Sequence, residues 1–197
     1  MTTIDPPGVT RFIKESHPDI EWHVPDKPFW KEVEYRGLPT RVARWCCSVF
    51  KEIGGQGRVV LTGIRGEESW QRAKRGTYQA CKTGRKWFVN PLMAWKSGDV
   101  WDHIRKYNLP YCSLYDEGWD RIGCVLCPYQ TNVEESMERW PVFWRLTRQA
   151  FDVYFARSNA CQSRWESADD GWDWWIHRRR AYPKKRDGRP PSLPFEE

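Results

Sequence analysis

Arg58-Val59-Val60-Leu61-Thr62-Gly63, running directly into Ile64-Arg65-Gly66-Glu67-Glu68-Ser69, is the stretch on which the fold reading turns. Val59, Val60 and Leu61 form a short apolar run, largely β-branched, that predicts a compact buried strand. A charged segment then leaves the strand's carboxyl end, which is where open α/β sheets bind ligands. Working outward, Trp87 to Val89 predicts a second short strand before Asn90-Pro91. Ile20, Trp22 and Val24 alternate as a third strand would. Helices are predicted over Val9–Ser16, Phe29–Tyr35 (closed by Gly37 and Pro39), Arg44–Ile53 (closed by Gly54 and Gly55) and Gly98–Tyr107 with Ser97 as its cap. Pro141 suits the first turn of a long helix to about Ala156. Its residues Phe143, Trp144, Thr147, Ala150, Phe151, Tyr154 and Phe155 form one wide core-facing stripe. The class is therefore α/β, with a helical extension at the C-terminal end.

The chain has 197 residues, enough for one domain with an arm and a sizeable core. Aromatics make up 15% and include 14 tryptophans, a content that excludes collagen-like and fully disordered chains. No apolar run approaches the ~20 residues of a bilayer span. Met1 to Pro7 carries no basic, apolar leader pattern, so a cytoplasmic, non-membrane protein is expected. The formal charge of +6 favours phosphate-bearing partners. That excess is matched by Arg178, Arg179, Arg180, Lys184, Lys185, Arg186 and Arg189 set against Asp187, so the body is near neutral. Residues 181–197 read as a disordered, Pro-rich basic tail, through which nucleic acid is a conceivable partner.

Seven cysteines, an odd number, argue against a disulfide framework and towards metal or reactive thiols. Cys46-Cys47 and Cys124-x-x-Cys127 form two compact pairs. Cys-x-x-Cys places two thiolates on one tight turn, with Gly123 and Pro128 supplying the turn chemistry. Two thiolate pairs without a nearby histidine suit a four-sulfur site, either iron–sulfur or zinc. Buried structural thiols remain the metal-free alternative. Cys81, Cys112 and Cys161 stand alone and read as small core residues, although Cys112 lies close enough to Cys124 in sequence to approach the same site.

Taken in order, Arg44-Trp45-Cys46-Cys47 with Lys51, Thr62 to Ser69 with Arg72, Asn90-Pro91-Leu92 with Trp95, Asp99-Val100-Trp101, Leu109-Pro110-Tyr111 and Arg121 to Pro128 resemble the phosphoadenosine phosphosulfate (PAPS) reductase family across roughly residues 6–145. The resemblance implies a partial adenine nucleotide α-hydrolase-like fold, with a mainly parallel sheet and flanking helices. It implies a 4Fe–4S cluster on Cys46, Cys47, Cys124 and Cys127, with zinc as the alternative. It places nucleotide phosphate or sulfate at Arg65 and Arg72. By residue type Ser69 can donate to the same anion and Glu68 can orient an arginine; a solvated basic helix face is the alternative.

Two departures qualify the resemblance. The family's Ser-Gly-Gly-Lys-Asp-Ser pyrophosphate loop has no counterpart here. A first βα unit is therefore expected from a partner chain, or the sheet is completed by self-association. The late cysteine nucleophile of sulfonucleotide reductases is also missing, since no cysteine follows Cys161. The expected division is 1–130, a PAPS-reductase-like domain lacking its first βα unit; 131–180, a helical extension; and 181–197, the tail. The expected function is adenine (sulfo)nucleotide binding with sulfur activation, reduction or transfer. The alternatives are a non-enzymatic cluster- or zinc-bearing module that binds protein or nucleic acid, and a DNA phosphorothioation-type sulfur-transfer component.

Overall fold

A computed structural model describes residues 1–81 and 85–177. The basic tail lies outside the described residues, and with it the nucleic-acid expectation. The chain is mixed α/β and forms two compact units, residues 1–52 with the segment from Leu114 onward, and residues 53–113. Among the described residues no helix is long and apolar enough to cross a membrane.

The first unit is helical. It contains α1 (Pro7–Ser16), α2 (Phe29–Arg36) and α3 (Trp45–Phe50) from the N-terminal part, then α6 (Val133–Arg139), α7 (Pro141–Arg157), α8 (Asn159–Gln162) and α9 (Ala168–Ile176). Pro141 occupies the first turn of α7, where its missing N–H costs nothing. The predicted stripe on α7 faces the core: Trp144, Thr147, Ala150 and Phe151 are buried. α7 packs along α2 and touches α6, α8 and α9.

The core joins Phe29, Val33, Trp45, Leu126, Trp144, Phe151 and Trp175. Each large apolar side chain so buried contributes ~1.5–3 kcal/mol. The tryptophans also tie loops down: Trp175 Nε1 donates to the Pro39 carbonyl at 2.7 Å and Trp45 Nε1 to that of Gly37 at 3.2 Å. Gly37 ends α2 at φ +71°, and a Cβ there would lie 2.7 Å from Tyr154 Cε1. Only glycine fits that conformation and that approach.

The second unit holds a three-stranded sheet of β1 (Val59–Leu61), β2 (Tyr78–Ala80) and β3 (Trp87–Val89) in the order β1-β3-β2. β1 runs parallel to β3, pairing Val59 with Trp87 and Leu61 with Val89, while β2 is antiparallel to β3. It also holds α4 (Trp70–Ala73) and α5 (Ser97–Lys106). Asn90, 1% exposed, locks the strand ends: its side chain accepts from Thr62 Oγ1 at 2.6 Å and donates to the Gly76 carbonyl at 2.9 Å.

Three local expectations change. β1 forms as predicted but is not buried: Val59 is 65% and Leu61 72% exposed. Ile20 to Val24 forms no strand, and Ile20 and Val24 stay exposed. A period-two pattern confined between Pro18 and Pro25 has no partner to pair with. The third helix stops at Phe50, short of Ile53.

Candidate functional site

In the first unit, α3 is pinned by its ends. Trp45 and Phe50 are 5% and 6% exposed, and Trp45 stacks on Phe29 with ring centroids 5.5 Å apart. Cys46 and Cys47 stand between these anchors and are half-buried. The Cys-x-x-Cys turn is anchored by its middle residues, with Val125 1% and Leu126 0% exposed. The Cys127 amide donates to the Cys124 carbonyl at 3.1 Å, and the Gln130 amide to that of Cys127 at 2.9 Å. The N-terminal segment closes over this turn. The Val125 amide donates to the Ile4 carbonyl at 2.9 Å, Thr2 Oγ1 lies 3.5 Å from Cys124 Sγ, and the Cys124 thiol donates to Asp5 Oδ1 at 3.8 Å. Thr2 and Asp5 were not legible as site residues, because Met1 to Gly8 reads as irregular chain. Arg41 and Arg44 sit over the Tyr129 ring at 5.7 and 5.4 Å, and Arg41 Nε donates to the Pro128 carbonyl.

The two thiol pairs sense each other. The Cys46 thiol is held far above its ordinary value by the hydrogen bond it gives Cys47, by burial, and by negative charge on Cys47, Cys124 and Cys127. Cys47 is lowered to about 6, first by that hydrogen bond; burial opposes the shift, and Lys51 and Arg44 assist it. Burial works against the charge on Lys51, yet the charge of Cys124, a hydrogen bond to it, and Cys47 raise the ammonium above its usual value. Burial raises Cys124, and Lys51 offsets part of that rise. Among the described residues no set of three or more His, Cys, Asp or Glu side chains is placed to hold a metal ion. Cys47 and Cys124, one thiol of each pair, are therefore neighbours of one cation, without a finished metal cage among the described residues. By chemistry the donor set fits a four-sulfur centre: soft ligands, two compact pairs and a counter-cation at hand.

Arg65, Glu68, Ser69 and Arg72 all lie in the second unit, and Cys46, Cys47, Cys124 and Cys127 in the first. Gly66–Glu68 forms a 3₁₀ turn directly before α4. Glu68 bridges both arginines, lying 3.6 Å from Arg65 Nη2 and paired with Arg72 Nη1. Arg65 also reaches Glu67 at 3.3 Å and donates to Ser97 Oγ at 3.1 Å. Ser69 caps α4, its hydroxyl accepting from the Arg72 amide at 3.3 Å. Ser97, expected only as a cap, begins α5 and holds Arg65. The α5 cap is Lys96, whose amide donates to Asp99 Oδ2 at 2.7 Å. The outcome is two guanidinium forks, side chains 19% and 34% exposed, that share Glu68, with Glu67 also on Arg65. Cys112 and Cys161 are buried, each in its own unit.

Comparison with known proteins matches residues 4–130 to the phosphoadenosine phosphosulfate reductase domain. The chain belongs to the PAPS reductase family. The matched span of this PAPS-reductase-family protein includes all eight residues just placed. An adenosine 5'-phosphosulfate reductase of Oceanobacillus iheyensis is 31% identical over 129 residues, covering 61% of this chain and 54% of its own length. Another, from Allochromatium vinosum, is 32% identical over 116 residues, covering 56% and 44%. An uncharacterized protein of Methanocaldococcus jannaschii is 38% identical over 118 residues, covering 55% and 28%. The family protein thus spans between 28% and 54% of the length of these relatives.

Proposed function

We propose that this protein binds an adenine sulfonucleotide and takes part in the reduction or transfer of its sulfur, with a 4Fe–4S cluster on Cys46, Cys47, Cys124 and Cys127. The observation that carries the reading is that Cys47 and Cys124, one thiol of each pair, both act on Lys51 in a chain of the PAPS reductase family. When bound, the cluster supplies an anionic, electronically polarisable metal centre. Lys51 offsets charge on Cys47 and Cys124, and Arg44 on Cys47, which lowers the cost of assembling thiolates in a half-buried site.

In the second unit Arg65 and Arg72 offer planar forks to a sulfate or phosphate oxyanion. Glu68 holds both guanidiniums in register before the ligand arrives, and Ser69 contributes a hydroxyl proton. An arriving oxyanion takes over part of the pairing that Glu68 provides. Residues 1–130 form the reductase-like part in this proposal and 131–180 its helical extension. The pyrophosphate loop comes from outside these residues.

Two measurements test the reading. Anaerobic purification followed by iron and sulfide analysis is expected to find iron that Cys124→Ser loses. Stoichiometric zinc in place of iron would reject the cluster. Titration with adenosine 5'-phosphosulfate is expected to show binding that Arg65→Ala weakens. Equal affinity in both proteins would remove the anion site.

A further inference from the structure

The turn that carries Cys124 and Cys127 forms one wall of a cleft of about 320 Å³, within the usual size range of ligand sites. The cleft lies wholly within the first unit. Trp119 and Trp140 line it as a half-buried aromatic pair, ring centroids 4.7 Å apart and planes tilted by 41°. Trp119 is fixed by its amide, which donates to the Leu114 carbonyl at 3.1 Å, and Trp140 by packing on the core. Asp120 and Gln130 add acceptors to the lining. The Gln130 side-chain oxygen is buried with no hydrogen-bond partner among the described residues, while its Nε2 donates to the Asn132 carbonyl at 3.3 Å. A buried acceptor in that state calls for a donor.

Arginines flank the same cleft. Arg121 lines it, as does Lys51. Tyr129 lines it too, and over its ring sit the guanidiniums of Arg41 and Arg44. Arg41 Nε donates to the Pro128 carbonyl at 3.1 Å, and the Tyr129 hydroxyl donates to the Arg41 carbonyl at 3.1 Å, so this cluster is fixed at both ends. Among the described residues no carboxylate pairs with Arg41, Arg44 or Arg121.

We propose that this cleft binds one base of a single-stranded nucleic acid, with the neighbouring phosphates on Arg121, Arg41 and Arg44. Three arguments select that occupant. An aromatic wall with amide and carboxylate acceptors suits the ring and the N–H edge of an unstacked base, whereas a duplex keeps its bases paired and stacked out of reach of a cleft. Asp120 and the Gln130 oxygen are both acceptors, so they favour a base with an exocyclic amino group, such as cytosine. Finally, Arg41 and Arg44 lie beyond the lining of the cleft. A free nucleotide that fills the cleft leaves them unused, while the phosphates of a strand meet their guanidinium forks. The inference goes beyond the sulfonucleotide reading and does not depend on it.

The test is fluorescence anisotropy of the full chain with end-labelled oligo-dC and oligo-rC, each about eight nucleotides long, in a salt series. The expected result is binding to at least one of them, which Trp119→Ala weakens at least about tenfold and Trp119→Phe keeps within about threefold of the wild type. The ratio of the two affinities reports which sugar the site prefers. Arg121→Gln, at an exposed position, is expected to lower the slope of log affinity against log salt by about 0.7, with an unchanged circular dichroism spectrum. Residues 178–197 are the same in every variant, so binding through them leaves these differences intact. No binding of either oligonucleotide by the wild type overturns the proposal. So does equal affinity of the wild type and Trp119→Ala. Displacement by polyphosphate of equal charge as readily as by unlabelled oligo-dC also overturns it, since the surface then reads charge alone, as one for an acidic peptide does. The probes carry no sulfate and the readout needs no iron, so failure here is separate from failure of the sulfonucleotide reading.

Discussion

Replacing Leu126 by alanine tests the link between core packing and the thiol centre. Leu126 lies between Cys124 and Cys127, is 0% exposed, and belongs to the core of the first unit. Leucine-to-alanine changes at such sites cost ~2–5 kcal/mol, through lost transfer energy and the cavity left behind. At ~2–4 °C per kcal/mol for a chain of this size, the melting temperature should fall by roughly 5–15 °C. Val125 and three backbone hydrogen bonds would then be the principal constraints left on the turn. The thiols should therefore lose their fixed spacing, and iron content after anaerobic purification should fall together with stability. Leu38→Ala is the control, since Leu38 shares the same core but is remote in sequence from the turn; it should lower stability and leave iron unchanged. Urea denaturation and iron analysis on the same preparations measure both effects. If Leu126→Ala keeps wild-type iron after losing 2 kcal/mol or more, the core does not position the thiols and the reasoning fails.

Gly37→Val adds a side chain at φ +71° and places its Cβ against Tyr154; it should cost ~2–4 kcal/mol in urea denaturation, and a near-neutral result would deny the close packing of α2 on α7. Arg65→Ala should weaken adenosine 5'-phosphosulfate binding by about tenfold or more, ~1.4 kcal/mol, in isothermal titration, whereas Arg75→Ala should change it little. Burial pushes the Cys161 thiol up to about 12 from 9.0. A raised thiol value means the folded state holds its proton more tightly, so this contribution is complete below pH 9.0 and is lost as the pH climbs towards about 12. Cys161→Ala should remove that alkaline dependence from the stability curve, and an unaltered curve would show that the thiol is not responsible.

Much of this architecture could be read from residue patterns, and the exceptions have physical causes. The stripe from Phe143 to Phe155 located α7 because its period matches a helix buried along one side. Val59-Val60-Leu61 located β1 but suggested burial, since apolar content reports what a complete sheet would cover and not what these residues cover. Ile20 to Val24 carried the alternation of a strand without a neighbour to pair with. The thiol pairs were visible as spacing, and their shared cation Lys51 was visible only as a neighbour of Cys47. Thr2 and Asp5 reach Cys124 through a chain reversal that no local pattern announces. Ser97 looked like a helix cap, and its contact with Arg65 spans a separation in sequence that local propensity cannot see.

The most direct measurement is iron, zinc and acid-labile sulfide content per chain after anaerobic purification, on the wild type and on Cys46→Ser, Cys47→Ser, Cys124→Ser and Cys127→Ser. The account predicts about four irons and four sulfides in the wild type and their loss in variants of both pairs. Stoichiometric zinc, or iron that survives serine at either pair, would contradict it.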